Sequence, residues 1–212
     1  MMKPIASIRL TLFFMLVGIF LPACFTTDTP DTRFYLLNPL DAESTLGAGS
    51  GKKGSLSVEV ASLRLPQYLE RPQIVTRSSN NRLKLAEFHQ WGGNLRKNMM
   101  RVLAKNFSQL LATPHIAISP HRPPAPPNFR IELEVMQFER GPNRKVRLSA
   151  QWRLTQGKGQ KPLVTRIIEL NSSPISDDPE LEYDHTVLAM GLVFGELSKI
   201  IGKEILRHKI LD

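Results

Sequence analysis

Residues Phe129-Arg130-Ile131-Glu132-Leu133-Glu134-Val135-Met136-Gln137-Phe138 decide the fold. Side chains on a strand alternate between faces. Phe129, Ile131, Leu133 and Val135 therefore share one face, against Arg130, Glu132 and Glu134 on the other. The phase slips at Met136 and Phe138, which predicts a bulge near Val135. Gly141-Pro142-Asn143 turns the chain into a second alternation: Val146, Leu148, Ala150, Trp152 and Leu154 oppose Lys145, Arg147, Ser149, Gln151 and Arg153. Gly157-Lys158-Gly159 turns it again into 163–170. This is a three-strand meander with one wet and one dry face, so something must cover the dry one.

The cover is helical. Leu95, Met99, Val102, Leu103, Phe107, Leu110 and Leu111 recur as one stripe of a 3.6-residue period. Gly92-Gly93-Asn94 starts that helix and Thr113-Pro114 stops it. A second helix is expected from about 180 to 207, with Leu188, Leu192, Leu197, Ile200, Ile201 and Ile205 among its apolar positions. Lys203, Arg207, His208 and Lys209 suit its C-terminus electrostatically. Further strands read at 34–37 (a compact apolar run), 55–61, 73–77, 82–88 and 115–119, the middle two joined across Ser78-Ser79-Asn80-Asn81. Gly47, Gly49, Gly51 and Gly54 mark a surface loop over 41–54, and Pro120 to Pro127 an extended connection. The fold class is α+β, an α/β sandwich in which an antiparallel-rich sheet carries two main amphipathic helices.

Upstream of this domain stands Leu21-Pro22-Ala23-Cys24, with the only cysteine in 212 residues. Lys3 and Arg9 precede an uncharged apolar run from Leu10 to Leu21, the pattern of a secretory signal. The run is well short of the roughly 20 residues that span a bilayer as a helix. Leu-x-Ala-Cys resembles the bacterial lipobox, whose cysteine is lipidated and becomes the mature N-terminus; Pro22 departs from its usual small or β-branched residue. The organisation expected is a signal peptide over 1–23, a tether over 24–33 and one periplasmic domain over 34–212. In the enterobacterial type of sorting, an aspartate after the lipidated cysteine retains a lipoprotein in the inner membrane. Phe25 stands there, so the outer membrane is expected, with the periplasmic side of the inner membrane as the alternative.

The formal net charge is +9. An exported, tethered protein with dispersed basic residues points to anionic lipid or an acidic protein partner and away from nucleic acid. With its sole cysteine acylated, the mature chain can form no internal disulfide and no cysteine-type zinc or iron–sulfur site. No phosphate-cradling loop, dinucleotide fingerprint or G-x-S-x-G elbow is present. The five histidines, His89, His115, His121, His185 and His208, lack metal-ligand spacing. The chain therefore reads as a non-enzyme without cofactors. Gly191-x-x-x-Gly195 reads as close packing of the second helix onto the sheet, not as a membrane dimer motif.

One stretch is more specific. Leu69-Glu70-Arg71-Pro72-Gln73-Ile74-Val75, Asn81-Arg82-Leu83 and Ala86-Glu87-Phe88-His89-Gln90-Trp91-Gly92 lead into Val102-Leu103-Ala104. With Phe34-Tyr35-Leu36-Leu37 close behind the cysteine, this resembles the PqiC/YmbA family, auxiliary lipoproteins of MCE-type (PqiB-class) transport systems. The family typically carries a proline after the tryptophan; this chain has Gly93-Asn94. The resemblance implies an α/β sandwich that serves intermembrane lipid transport and envelope integrity by docking, with a PqiB-like MCE-domain protein as partner. It leaves a homo-oligomer open. An anchored carrier of lipid or another hydrophobic ligand is the alternative, and an envelope hydrolase a third class.

Tyr68, Arg71, Glu87, His89 and Trp91 form the expected docking patch, gathered in a turn and at a strand end beside the first helix. An arginine close to a large aromatic is a combination that dominates interface energies. The competing reading makes Trp91 a core residue and pairs Arg71 internally with Glu87. The basic face of 145–153, with Lys145, Arg147 and Arg153, is the next candidate surface.

Overall fold

The computed structural model describes residues 30–41, 56–121, 125–157, 162–176 and 178–211. The expected signal segment, Cys24 and most of the tether lie outside them, as does most of the glycine-rich stretch 41–54. By internal contacts the chain separates into Met1–Asp31 and Thr32–Asp212. Of the first unit only the exposed Pro30 and Asp31 are described.

The second unit is α+β. Its strands are β1 (Arg33–Tyr35), β2 (Val58–Arg64), β3 (Gln73–Ser79), β4 (Arg82–Trp91), β5 (Ile116–Ile118), β6 (Phe129–Arg140), β7 (Val146–Gln156) and β8 (Pro162–Asn171); its helices are α1 (Leu95–Leu110) and α2 (Glu182–Leu211). β6 is the hub of one eight-stranded sheet. Its first half lies parallel to β2, its last residue, Arg140, pairs with Thr76 of β3, and its whole length runs antiparallel to β7. The expected bulge falls between Val135 and Gln137, turning Met136 outward to 43% exposure.

The sheet is mixed, which corrects the antiparallel-rich expectation. The neighbouring strands β3–β4, β6–β7 and β7–β8 are antiparallel. The other pairings, β1–β4, β2–β5, β2–β6 and β3–β6, are parallel. Turn signals between adjacent runs reveal hairpins only. Parallel partners come together through long connections, such as the one through α1 that returns β5 beside β2, and no local signal announces them.

The dry face is the one expected: Phe129, Ile131, Leu133, Val146, Leu148, Ala150, Trp152 and Leu154 are all buried beneath the helices. Outward-facing side chains of the same strands pair instead, Arg130 with Glu59, Arg153 with Glu132, Arg64 with Glu134 and Arg147 with Glu169. Asn94 caps α1, its side chain accepting from the Lys97 amide at 2.9 Å. Gly93 before it adopts φ +147°, a conformation that suits glycine and strains other residues.

Residues 36–40 were expected in part as a buried strand. They instead run as an extended segment alongside the helices, held by two asparagines on one face of α1. Asn98 accepts from the Leu37 amide and Asn106 from the Leu40 amide, both at 2.8 Å. Asn106 also donates to Ser198 of α2 at 2.9 Å, so these buried polar groups satisfy one another. The glycines of α2 make room for this segment, not for the sheet. A Cβ on Gly191 would lie 3.7 Å from the Asn38 carbonyl oxygen, and one on Gly195 would lie 2.5 Å from Leu40. The span Glu182–Lys209 is long and apolar enough to cross a membrane, yet 61% of its most apolar window is buried in the domain, as befits a core helix.

Candidate docking site

The expected patch divides into three environments. Tyr68, on the short 3-10 turn Gln67–Leu69, donates its hydroxyl to Glu139 at 2.7 Å. Glu139 is fully buried and also accepts from Arg77 Nε at 2.7 Å, Gln137 Nε2 at 2.8 Å and the Phe138 amide at 3.1 Å. Burial, together with the Glu139 carboxylate, pushes the Tyr68 hydroxyl pKa up. This is a structural knot that pins the 65–70 segment to β3 and β6.

His89 sits at the β1–β4 edge. Its Nδ1 lies 2.8 Å from the Tyr35 hydroxyl, which is 3.3 Å from the Asp184 carboxylate, and its ring stacks on Tyr183 at 4.0 Å between centroids. The tyrosine has one proton and a carboxylate only accepts, so satisfying both contacts requires the proton on His89 Nδ1. Burial, and then the nearby Arg33 charge, lower the His89 pKa. Burial, and then Asp184, raise that of Tyr35. An Arg140–Glu182 ion pair reinforces the same junction. The cluster joins the sheet edge to the head of α2.

Trp91 is 5% exposed and its amide donates to the Pro72 carbonyl at 2.7 Å. It is a core residue, as the competing reading had it. Arg71 and Glu87 are exposed, and neither side chain forms an ion pair or hydrogen bond with another described residue. The internal Arg71–Glu87 pair does not form. Of the five residues, these two alone present unpaired charge to solvent. On the alternative face, Arg147 and Arg153 spend their charge on Glu169 and Glu132, at 2.8 and 3.2 Å.

Two apolar surfaces escaped the sequence reading. On β1 and just after it, Phe34 and Leu36 are 67% and 51% exposed. On α2, Leu188 and Leu192, both among the expected apolar positions, are each 62% exposed. They border a groove of about 510 Å³ whose apolar walls include Leu170, Ile175, Ala189 and Val193. The buried stripe is Val187, Met190, Phe194, Leu197, Ile201 and Ile205, and a helical wheel places Leu188 and Leu192 well off it. Among the described residues no group of three or more His, Cys, Asp or Glu could hold a metal ion.

The fold and its surface thus define a helix-covered mixed sheet whose candidate site is a docking surface made of unpaired charges and exposed apolar side chains. The family profile described as "ABC-type transport auxiliary lipoprotein component" matches residues 35–202, and the chain belongs to that family. It is the family to which the 69–104 motifs pointed. Its description is of a transport auxiliary component, not an enzyme, and of lipoproteins, hence of membrane-anchored envelope proteins. Among solved structures, the chain resembles an uncharacterized protein at TM-score 0.64 and 20% identity, over 83% of this chain and 99% of that one. It also resembles a Xanthomonas campestris protein described as DUF330 at TM-score 0.62 and 12% identity, over 85% and 94%. At these identities the likeness is one of fold. No curated protein sequence matches the chain.

Proposed function

We propose that the protein is the lipid-anchored auxiliary subunit of an MCE-type (PqiB-class) intermembrane lipid transport system, tethered through Cys24 to the periplasmic side of the outer membrane. It acts by docking an MCE-domain partner and not by catalysis. The family match, which spans nearly the whole described fold, carries this reading. Arg71 and Glu87 are the charged contacts of the docking surface, while Tyr68, His89 and Trp91 serve the packing of the domain.

Arg71→Ala tests the reading in a pull-down from solubilised envelopes, with melting temperature as the folding control. An exposed, unpaired arginine can be removed within about 0.5 kcal/mol of native stability. Partner recovery should therefore fall while the melting temperature holds. Unchanged recovery moves the docking surface elsewhere.

The groove beside Leu188 and Leu192 favours a second reading, a hydrophobic-ligand carrier. Phospholipid co-extracted with the purified protein, and lost on narrowing the groove with Ala189→Phe, would support it.

A further inference from the structure

β1 and the two residues that follow it have two faces with different fates. Tyr35 and Leu37 point inward at 9% and 2% exposure, while Phe34 and Leu36 point outward at 67% and 51%. In register Phe34 stands beside Gln90 of β4, and Leu36 lies over Gly92, 3.5 Å from where a Cβ there would sit. Among the described residues β1 is the terminal strand of the sheet, so the two side chains project from the outer face at its edge. Neither belongs to the core formed by the described residues.

Their place in the chain identifies what covers them. Arg33 precedes them and donates to the Glu180 carbonyl at 3.3 Å, which fixes the entry of the chain beside the head of α2. Arg33 is nine residues from Cys24, so even fully extended chain spans at most about 32 Å between them. A lipid on Cys24 keeps this edge within that reach of the bilayer. Leu188 and Leu192 lie roughly 12–18 Å farther along α2 from Glu180, at the helical rise per residue. Asp31 and the acids at the head of α2 flank Arg33, so apolar burial, not charge, drives the contact.

We propose that Phe34 and Leu36 are a membrane seat, inserted together into the interfacial layer of the bilayer that holds the Cys24 lipid. The inference rests on the anchored-lipoprotein reading. A lipid alone leaves a tethered domain free to rotate, and a second apolar contact fixes its orientation. With β1 against the lipid, Arg71 and Glu87, carried on and beside the neighbouring β3–β4 hairpin, face the periplasm at a set height.

The test uses the full lipidated chain in phosphatidylethanolamine–phosphatidylglycerol vesicles. Lipidation consumes the sole native thiol, so Phe34→Cys, Leu36→Cys, Leu188→Cys and Ile167→Cys each accept one nitroxide label at an exposed position. Labels at 34 and 36 should collide preferentially with oxygen, which partitions into lipid, and labels at 167 and 188 with a water-soluble nickel chelate. If the protein floats with the vesicles while labels 34 and 36 report water, the seat is refuted and the anchor stands. Oxygen preference at 188 with water at 34 also refutes it, making α2 the membrane face. If the unsubstituted chain fails to float, or Cys24→Ala floats equally well, the anchor reading fails and the seat falls with it.

Discussion

Glu139→Gln changes charge and hydrogen-bonding character with almost no change in volume. Each carboxylate oxygen of Glu139 serves two donors: Arg77 and Gln137 at Oε1, Tyr68 and the Phe138 amide at Oε2. A glutamine keeps one acceptor and turns an NH2 toward the other pair. Two hydrogen bonds are lost at about 1–1.5 kcal/mol each, and the cation loses its counter-charge. A fully buried pair broken on one side costs about 3–5 kcal/mol. The Arg77 side chain retains 23% exposure, so water recovers part of this. The lower end, about 3 kcal/mol, is expected, or a melting temperature lower by roughly 6–12 °C for a domain of this size. Urea unfolding followed by circular dichroism measures it, with Glu132→Gln as control. The Glu132–Arg153 pair is 45% and 44% exposed and should be worth less than about 1 kcal/mol. If both variants lose the same stability, the Glu139 knot does not hold the 65–70 segment and the argument is wrong. A double-mutant cycle with Tyr68→Phe should give a coupling above about 0.5 kcal/mol, as for other hydrogen-bonded neighbours.

Two further outcomes follow from the same contacts. The folded-state pKa of His89 lies below its ordinary value of 6.5, so as pH falls the unfolded chain takes up the proton first. The stability that neutral His89 contributes is complete above about pH 6.5 and is lost below it; His89→Gln should flatten that acid limb in urea midpoints measured across pH, and an unchanged limb counts against the assignment. Leu188→Ser with Leu192→Ser should stay within about 1 kcal/mol of native stability, whereas Phe194→Ala should cost about 3–5 kcal/mol; the reverse order would mean α2 is rotated from the orientation described.

How much of this the sequence disclosed depends on the range of each interaction. The β6–β7–β8 meander, the bulge near Val135, the start of α1 at Asn94 and the β3–β4 hairpin are written in alternation, turn residues and caps within about ten positions. The parallel pairings are not, because Val58 meets Phe129 only after the chain has passed through β3, β4, α1 and β5. Phe34-Tyr35-Leu36-Leu37 misled for a related reason. Four apolar residues in a row suggest burial on both faces, but an edge strand covered on one side buries every second residue. Leu188 and Leu192 count among the apolar positions of α2 without showing which face they occupy, because α2 is apolar around most of its circumference. Residue types alone named the docking patch, and geometry divided it. Tyr68 and His89 are bound to Glu139 and Tyr35, partners more than fifty positions away.

The outer surface is what favours the docking reading proposed above. Catalysis needs polar groups that converge on a space a substrate can enter, with some left unsatisfied until it arrives. Here several polar groups are already satisfied by one another: Glu139 by four donors, Asn98 and Asn106 by backbone and Ser198, and the outer rungs of the sheet by cross-strand ion pairs. His185, on the wall of the groove, differs in that its buried Nδ1 has no hydrogen-bond partner among the described residues. The surface that remains uncommitted is of another kind. It includes unpaired charge at Arg71 and Glu87 and apolar side chains at Phe34, Leu36, Ile167, Leu188 and Leu192. Apolar groups lower their free energy by being covered, and charges already unpaired in the free domain can meet opposite charges on a partner without first breaking internal ion pairs. On the docking reading proposed above, a domain with these properties gains function when a second surface closes over it.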